Sequence, residues 1–275
     1  DDYRAPNKDN AALDGDKRDG AAKAPPDRLG NYCQMFREDF TVSRRADRVR
    51  KFGMETASKY FRAKNAKELQ TDLEQAIVSD NIAVVGAAAT EPKTAGLAAM
   101  IFTNTSVGAG GAVAAHTSGA QTTAHTTGTN RALTAGTWVQ DVMFSAITNS
   151  TDSPNVAYMA PLLKRDAAGL SGVAANRVNQ DRKKGKQMEA AIIQGVDIIE
   201  TGAGQLSLVP HYGMKDMEHM LMLNHEHISV AYLDGFVDEE KGRDSDGRSF
   251  MQIIDACLEL NSEKAQAAVF DLTPA

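Results

Sequence analysis

Three histidines lie close together near residue 220, and they form the first pattern in this chain that could do chemistry. His219, His225 and His227 have Glu218 and Glu226 beside them. On an extended strand His225 and His227 would share one face, and two imidazoles on one face could chelate zinc. The spacing matches neither the H-E-x-x-H helix nor a zinc finger. We therefore expect structural histidines and no metal, while a metal-dependent enzyme built on His219, His225 and His227 stays an alternative.

Two further motifs resemble ligand-binding loops but lack essential positions. Residues 244–247 are similar to the middle of a calcium loop. Aligned on Gly247, the first and last ligand positions are Gly242 and Ile253, where oxygen ligands are required. We expect a turn there. Residues 108–111 are glycine-rich but lack the Gly-Lys-Ser/Thr of a phosphate loop. We expect no catalytic residue and no cofactor, and hence a protein that is not an enzyme.

Composition and charge narrow the functional classes. The chain has 275 residues, 42% hydrophobic and 24% charged, with a net charge of −6. An acidic balance argues against a protein that grips nucleic acid through a basic face, but not against one that encloses it. The densest basic cluster is Arg182, Lys183 and Lys184. It is either a solvated loop or a contact with nucleic acid or an acidic neighbouring subunit.

Membrane and disulfide signals are weak. The longest apolar runs fall far short of the roughly 20 residues that a membrane span needs, so no membrane partner is expected.

Cys33 and Cys257 are the two cysteines, far apart in the sequence and in apolar surroundings. Two thiols do not make a disulfide framework, and we expect both to be reduced and buried.

A helix-type pattern runs from about residue 45 to residue 79, and Ser43 is a suitable N-cap for it. Charged residues alternate with an apolar stripe made of Val49, Phe52, Thr56, Tyr60, Ala63, Ala66, Leu69, Leu73, Ala76 and Ile77. At roughly 1.5 Å per residue the helix would be about 50 Å long. That length is about the diameter of a compact chain of this size, so the pattern predicts a flattened subunit with a helical spine.

The segment before this helix is an arm. Residues 1–30 have almost no large apolar side chain and cannot fold alone. Residues 31–42 have an extended pattern, with Tyr32, Phe36 and Phe40 on one side. Together they predict a hairpin-like excursion, which is marginal in water by itself. We therefore predict that Tyr32, Phe36 and Phe40 are buried against a neighbouring subunit.

The remainder of the chain indicates an α+β protein. Residues 104–130 are mostly Thr, Ala, Gly, Ser and Asn, and we expect a loop. The patterns predict helices over 133–148 and 161–169, strands over 155–159, 190–200, 205–209, 217–223 and 228–236, a strand or helix over 250–260, and a closing segment over 267–272.

Several short runs resemble one known family. They are Leu29-Gly-Asn-Tyr-Cys-Gln-Met-Phe-Arg37, Phe40-Thr-Val-Ser43 before the charged helix, Val84–Gly86 before Lys93-Thr-Ala-Gly-Leu97, Val230-Ala-Tyr-Leu233, and the tail Phe270-Asp-Leu-Thr273. In this order they are similar to the major capsid (head) proteins of tailed bacteriophages. The resemblance spans about residues 10–273.

The resemblance implies a Hong Kong 97-type capsid fold. On that basis residues 1–42 are the extended E-loop, and residues 43–130 are the peripheral domain with its spine helix over 45–79 and the loop over 104–130. Residues 131–222 are the axial domain, and residues 223–275 return to the peripheral domain. The family's N-terminal arm would precede residue 1.

The resemblance also implies a function. The chain would self-assemble through hexamers and pentamers into an icosahedral head that encloses double-stranded DNA without reading its sequence. Decoration, portal and scaffolding proteins are the further partners, and the location is the virion, assembled in the host cytoplasm. The candidate contact residues between subunits are Tyr32, Phe36, Phe40, Arg182, Lys183 and Lys184. A shell of the encapsulin nanocompartment type, which has the same fold, is the nearest alternative.

Overall fold

The structure is a computed structural model that describes residues 8–15, 20, 28–49, 52–117, 119–133, 137–150, 152–167, 198–242 and 246–273. The helices are α1 (Arg44–Arg48), α2 (Ala57–Val78), α3 (Leu97–Met100), α4 (Thr137–Asn149) and α5 (Pro161–Ala167). The strands are β1 (Gln34–Ser43), β2 (Thr105–Ser106), β3 (Ala115–Thr117), β4 (Ala120–Thr123), β5 (Arg131–Ala132), β6 (Val156–Met159), β7 (Ile198–Thr201), β8 (Gly204–Pro210), β9 (Met220–Leu223), β10 (Ile228–Lys241), β11 (Gly247–Leu260), β12 (Ala267–Val269) and β13 (Leu272–Thr273).

A three-stranded antiparallel sheet in the order β1-β11-β10 supports the long helix. β1 pairs with β11 along its whole length, from Gln34 opposite Ala256 to Ser43 opposite Gly247. Burial alternates along β11, so one face of the sheet is apolar and packs on α2. The core between them consists of Phe36, Leu69, Leu73, Ala76, Ile254 and Ala256. Residues 250–260, left open as strand or helix, are therefore a strand.

The predicted spine helix over 45–79 is two helices, so its predicted start is wrong. Ser43 does act as an N-cap, accepting from the backbone N–H of Ala46 at 3.3 Å, but the helix that it caps is the short α1. Gly53 has a φ of +78°, a left-handed conformation that a continuous helix does not contain. Thr56 then caps α2 by accepting from the N–H of Lys59. At roughly 1.5 Å per residue, α2 is about 33 Å long.

A second, six-stranded sheet has the order β2-β12-β9-β6-β8-β7 and is packed by α4 and α5. Its central strands confirm the strands predicted over 155–159, 205–209 and 217–223, with small shifts at their ends. The strand predicted over 190–200 is described only from Ile198 onward. This sheet includes β2 and β12, which lie outside the predicted axial range of 131–222, because residues 267–269 return to pair with β9.

The segment over 104–130 is more ordered than the predicted loop. It contains β2 and an antiparallel hairpin of β3 and β4. Ala112 and Thr126 also form an isolated antiparallel bridge. The sequence did not predict these short strands, because Thr, Ala and Gly residues give no alternation of large apolar and polar side chains.

Among the described residues, no helix combines the length and the apolar composition that a membrane crossing needs.

Candidate intersubunit contact site

The predicted contact residues of the arm lie in different surroundings. Phe36 is 7% exposed and belongs to the core beneath α2. Phe40 stacks on Phe250 at 5.2 Å between ring centroids. Tyr32 is the most exposed of the three. The prediction that Phe36 needs a neighbouring subunit for burial is therefore wrong, because β11 and α2 already supply that environment. Arg182, Lys183 and Lys184 lie outside the described residues.

The start of this strand is fixed by Asn31. Its Nδ2 donates to the carbonyl oxygen of Leu258 at 2.8 Å and to Thr94 Oγ1 at 3.1 Å, while its Oδ1 accepts from the N–H of Ala95 at 2.8 Å. Gln34 adds another contact by accepting from the N–H of Thr94 at 3.1 Å. Residues from 31 onward therefore belong to the subunit's own sheet. Sequence reasoning missed this anchor, although Asn31 lies inside the run shared with the capsid family.

The three histidines do not converge. His219 is buried and its Nε2 donates to the carbonyl oxygen of Val78 at 3.1 Å. Burial holds the pKa of His219 below its ordinary value. His225 and His227 lie on a 3₁₀ turn rather than a strand. Within the described part of the chain, no group of three or more His, Cys, Asp or Glu side chains is placed to hold a metal ion.

The two remaining histidine rings each have a separate partner. His225 Nε2 lies 3.1 Å from the Tyr158 hydroxyl, and His227 Nε2 lies 2.8 Å from Asp152 Oδ2. The two rings therefore have different partners and do not converge on one point. The geometry therefore gives no support to the metal-dependent alternative.

The tail motif Phe270–Thr273 joins the glycine-rich segment to the core. Phe270 is buried and stacks on His125 at 4.4 Å between ring centroids. Asp271 accepts from the N–H of Gly108 at 2.8 Å, and its own carbonyl oxygen accepts from the N–H of Arg131 at 2.8 Å. A Cβ on Gly108 would lie 2.2 Å from the carbonyl oxygen of Thr129. This glycine is therefore required for close backbone packing.

An apolar surface lies on β10, and we name it the hairpin patch. It consists of Tyr232, Leu233 and Phe236, all exposed, with Leu233 at 74%. The pairing of β10 with β11 shifts between Tyr232 and Asp234 and again between Asp234 and Val237. Leu233 and Phe236 fall at these irregularities and have no Cα partner in β11. Bulges re-aim side chains in this way, so the hairpin patch is a consequence of the strand's geometry.

A second apolar surface, the elbow patch, lies where the two parts of the predicted spine meet. Its members are Val49, Phe52, Tyr60 and Phe61, and Phe52 is fully exposed. Val49, Phe52 and Tyr60 belong to the predicted apolar stripe, which is confirmed only from Leu69 onward. Val49 and Phe52 precede the break at Gly53, so they are not part of α2 and do not continue its buried face.

A groove of about 320 Å³ lies between α2 and β10. Arg62 spans it, bonding to Asp238 Oδ2 at 2.8 Å, with its guanidinium 5.2 Å from the centroid of the Phe250 ring. Gln252, at the base of the groove, is buried and its Oε1 has no hydrogen-bond partner. Phe236 lines the same groove. These surfaces suit contact with another protein chain, since their large side chains are apolar and exposed.

Several solved structures share this fold. One is the capsid of an empty GTA particle, with 11% identity, a TM-score of 0.53, and coverage of 96% of this chain and 81% of the other. The satellite phage P4 procapsid, solved with its size determination protein, has 14% identity, a TM-score of 0.51, and coverage of 95% and 79%. The SrpI encapsulin of Synechococcus elongatus has 9% identity, a TM-score of 0.52, and coverage of 88% and 75%.

These likenesses show a shared fold and confirm the predicted Hong Kong 97-type architecture. They do not separate a phage head from an encapsulin, because both classes have similar scores. No curated protein matches the sequence. The sequence profile of the SU10 major capsid protein does match, over residues 1–273. This match spans nearly the whole chain, and the chain therefore belongs to the SU10 major capsid protein family.

Proposed function

We propose that copies of this chain assemble into a closed head around double-stranded DNA by placing the hairpin patch of one subunit against the elbow patch of the next. Membership of a major capsid protein family supports a structural shell role. The net charge of −6 limits adhesion of the shell to its phosphate-rich contents. We propose no catalytic activity and no cofactor for this chain.

The observation that carries this proposal is the exposure of large apolar side chains at two separate places. Leu233 and Phe236 on one surface, and Phe52 on the other, are exposed in the isolated subunit. Full burial of each such side chain stabilises a contact by about 1.5–3 kcal/mol. The two patches are different surfaces, so their contact is head-to-tail. Head-to-tail contacts generate rings when the rotation between neighbours closes, and hexamers and pentamers are closed rings of this kind.

The arm has a narrower role in this proposal than the sequence indicated. Asn31 fixes the chain on its own sheet, Leu29 packs on the core, and the N–H of Gly30 donates to the carbonyl oxygen of Gly119 at 2.7 Å. Only the residues before Leu29 are therefore available to reach a neighbour. Leu13, in the described part of that segment, is exposed. We propose that the part of residues 1–30 that precedes Leu29 is the part of the E-loop that lies on the next subunit. For Arg182, Lys183 and Lys184 we propose contact with an acidic neighbouring surface.

Further partners follow from the capsid assignment as proposals. The P4 procapsid was solved with a size determination protein, and we propose that this chain also assembles with the help of a scaffolding protein. Portal and decoration proteins complete the proposed set. We place assembly in the host cytoplasm and the final location in the virion. The encapsulin alternative predicts smaller shells without packaged genomic DNA.

The contact is tested with Leu233→Asp. A carboxylate at the centre of the hairpin patch would be desolvated in the contact, which is strongly unfavourable. The variant should remain a folded subunit by circular dichroism, because Leu233 is exposed, but it should sediment as small species in a sucrose gradient. Gln70→Asp is the matched control, since it adds the same charge at another exposed position. Normal shells from Leu233→Asp would overturn the proposed contact.

A further inference from the structure

Cys33 and Cys257 are neighbours in space, although they lie at opposite ends of the sequence. Gln34 is opposite Ala256 in the β1–β11 pairing, so the next position along the same register places Cys33 opposite Cys257. Asn31, two residues before Cys33, bonds to the carbonyl oxygen of Leu258. The chain therefore stays beside β11 past Gln34, the last paired residue of β1, and Cys33 lies in that stretch. Both are free thiols and only partly buried, so the prediction that they are buried is wrong.

The backbone hydrogen bonds show which kind of cross-strand position this is. The N–H of Leu258 donates to Thr94 Oγ1 at 3.3 Å, and its carbonyl oxygen accepts from Asn31 Nδ2. Both backbone groups of Leu258 thus point toward the β1 edge of the sheet. Backbone groups alternate in direction along an antiparallel strand, so those of Cys257 point toward β10, where Ala231 is its partner.

Cys33 and Cys257 therefore face each other one residue beyond the paired segment, in the arrangement of a non-hydrogen-bonded pair. Opposite Cα atoms in such pairs are about 4.5 Å apart, with their side chains close together. Disulfides join Cα atoms that are roughly 4.4–6.8 Å apart. Ala256 and Leu258 are buried, so the Cys257 side chain lies on the opposite face of β11, away from α2. Small oxidants can therefore reach the two thiols.

We propose that Cys33 and Cys257 form a reversible intrachain disulfide. This bond would link the end of the N-terminal arm covalently to β11. The oxidant is a low-molecular-weight disulfide, encountered when the protein leaves a reducing cytoplasm. One protein thiolate attacks a sulfur of the small disulfide and displaces one small thiolate. The second protein thiol loses its proton to solvent, attacks the mixed disulfide and displaces the other. One small disulfide is thereby reduced to two thiols, while two protein thiols become one disulfide.

The electrostatics of the pair make disulfide formation slow at neutral pH. Burial, and then the hydrogen bond with Cys33, raise the pKa of the Cys257 thiol to about 11. At neutral pH this side chain is almost entirely protonated, and the protonated thiol is not the nucleophile. Asp255 and Glu259 contribute in the same direction. Formation of the bond should therefore become faster as the pH rises from 7 toward 9.

A disulfide here would close nearly the whole chain into one loop. Cross-links that close long loops restrict the unfolded state most strongly in the chain-entropy description. They also hold β1, an edge strand, against β11 independently of its hydrogen bonds. The arm before residue 31 would then be attached to the sheet by a covalent bond two residues beyond Asn31.

Peptide mapping under non-reducing conditions tests the proposal on the full chain. The reduced protein is incubated in its native state with oxidised glutathione, quenched with acid and digested with trypsin. Cys33 falls in the peptide of residues 29–37 and Cys257 in that of residues 249–264. We expect the two peptides to be joined, with the mass of their sum less two hydrogen atoms. Separate glutathione adducts on both cysteines, or links only between different chains, would overturn the proposal.

A register control separates proximity from general reactivity. In Tyr32→Cys with Cys33→Ser, the thiol moves one position out of register, and it should form glutathione adducts without joining Cys257. As a second readout, the thermal midpoint of the native chain should rise on oxidation and return when dithiothreitol is added. Cys33→Ser should show no such shift. An equal yield of disulfide to Cys257 in the register control would contradict the proposed disulfide. So would an unchanged thermal midpoint in the linked protein.

Discussion

Asp271 accepts a hydrogen bond from the backbone N–H of Gly108 at 2.8 Å, and this contact joins the end of the chain to its glycine-rich segment. Asp271 is 2% exposed and has a φ of 59°, in the left-handed region. Its neighbour Leu272 is opposite Arg131 in the short pairing of β13 with β5. The tail motif therefore joins two segments that are distant in the sequence.

Asp271→Ala should destabilise the subunit. It leaves the N–H of Gly108 without its partner, at a cost of about 1–3 kcal/mol. It also places alanine in a left-handed conformation, which costs roughly 1 kcal/mol more. Asp271→Asn keeps an acceptor oxygen and tolerates this backbone, so it should lose less than half as much. Urea unfolding monitored by circular dichroism measures both variants, and equal losses would show that the contact with Gly108 is not the cause.

Leu73 packs between α2 and the three-stranded sheet, beside Phe36 and Ile254. Leu73→Asp should abolish the soluble subunit, because an unpaired buried charge costs more than about 4 kcal/mol. Lys67→Asp changes an exposed position of the same helix and should stay within about 0.5 kcal/mol of the parent chain. Soluble yield and urea midpoints compare the two. Similar damage from both variants would mean that the buried face of α2 has been misassigned.

Asp234 is opposite Asp255 on neighbouring strands at the hairpin patch. Like charges in this arrangement repel, and one oxygen of Asp255 is buried without a hydrogen-bond partner. Asp234→Asn should therefore raise the free energy of unfolding by about 0.2–1 kcal/mol. Glu239→Gln, on the same strand but opposite Met251, removes the same charge without relieving a carboxylate pair. An equal gain from Glu239→Gln would assign the effect to net charge alone.

His219 gives the subunit a specific dependence on pH. Burial lowers its folded-state pKa below the ordinary value near 6.5, so the unfolded chain takes up the proton first as the pH falls. Its contribution to stability is therefore complete above pH 6.5 and declines below it, by at most about 1.4 kcal/mol per pH unit. His219→Gln should flatten the urea midpoint between pH 5 and 6.5. The exposed His225→Gln should leave the slope unchanged, and an unaltered slope in His219→Gln would contradict the assignment.

The sequence predicted those features that depend on local periodicity. The alternation that placed Phe36, Phe40 and Val42 on one side of a strand agrees with the burial of β1. The helical repeat through Leu69 and Leu73 agrees with the buried face of α2. In both cases the residues that recur at the spacing of the strand or helix lie on one face. Burial of that face requires them to be apolar.

Other features depend on distant partners, and periodicity does not report them. The sequence predicts that Phe36 is buried. The strand that buries it, β11, pairs with β1 from more than 200 residues away in the chain. The sequence therefore does not show whether Phe36 is buried in the sheet of its own subunit or against a neighbouring subunit. The apolar residues Val49 and Phe52 continued a helical repeat across Gly53, where the backbone turns. Exposed apolar side chains continue the pattern of a core stripe, and the predicted helix was therefore too long.

Electron microscopy of the purified protein in negative stain shows directly whether this chain forms closed shells. We expect icosahedral particles of uniform diameter that contain this chain, with pentamers and hexamers resolved in class averages. A preparation that stays as monodisperse monomers or small oligomers across the concentrations and ionic strengths tested, while folded by circular dichroism, would contradict it.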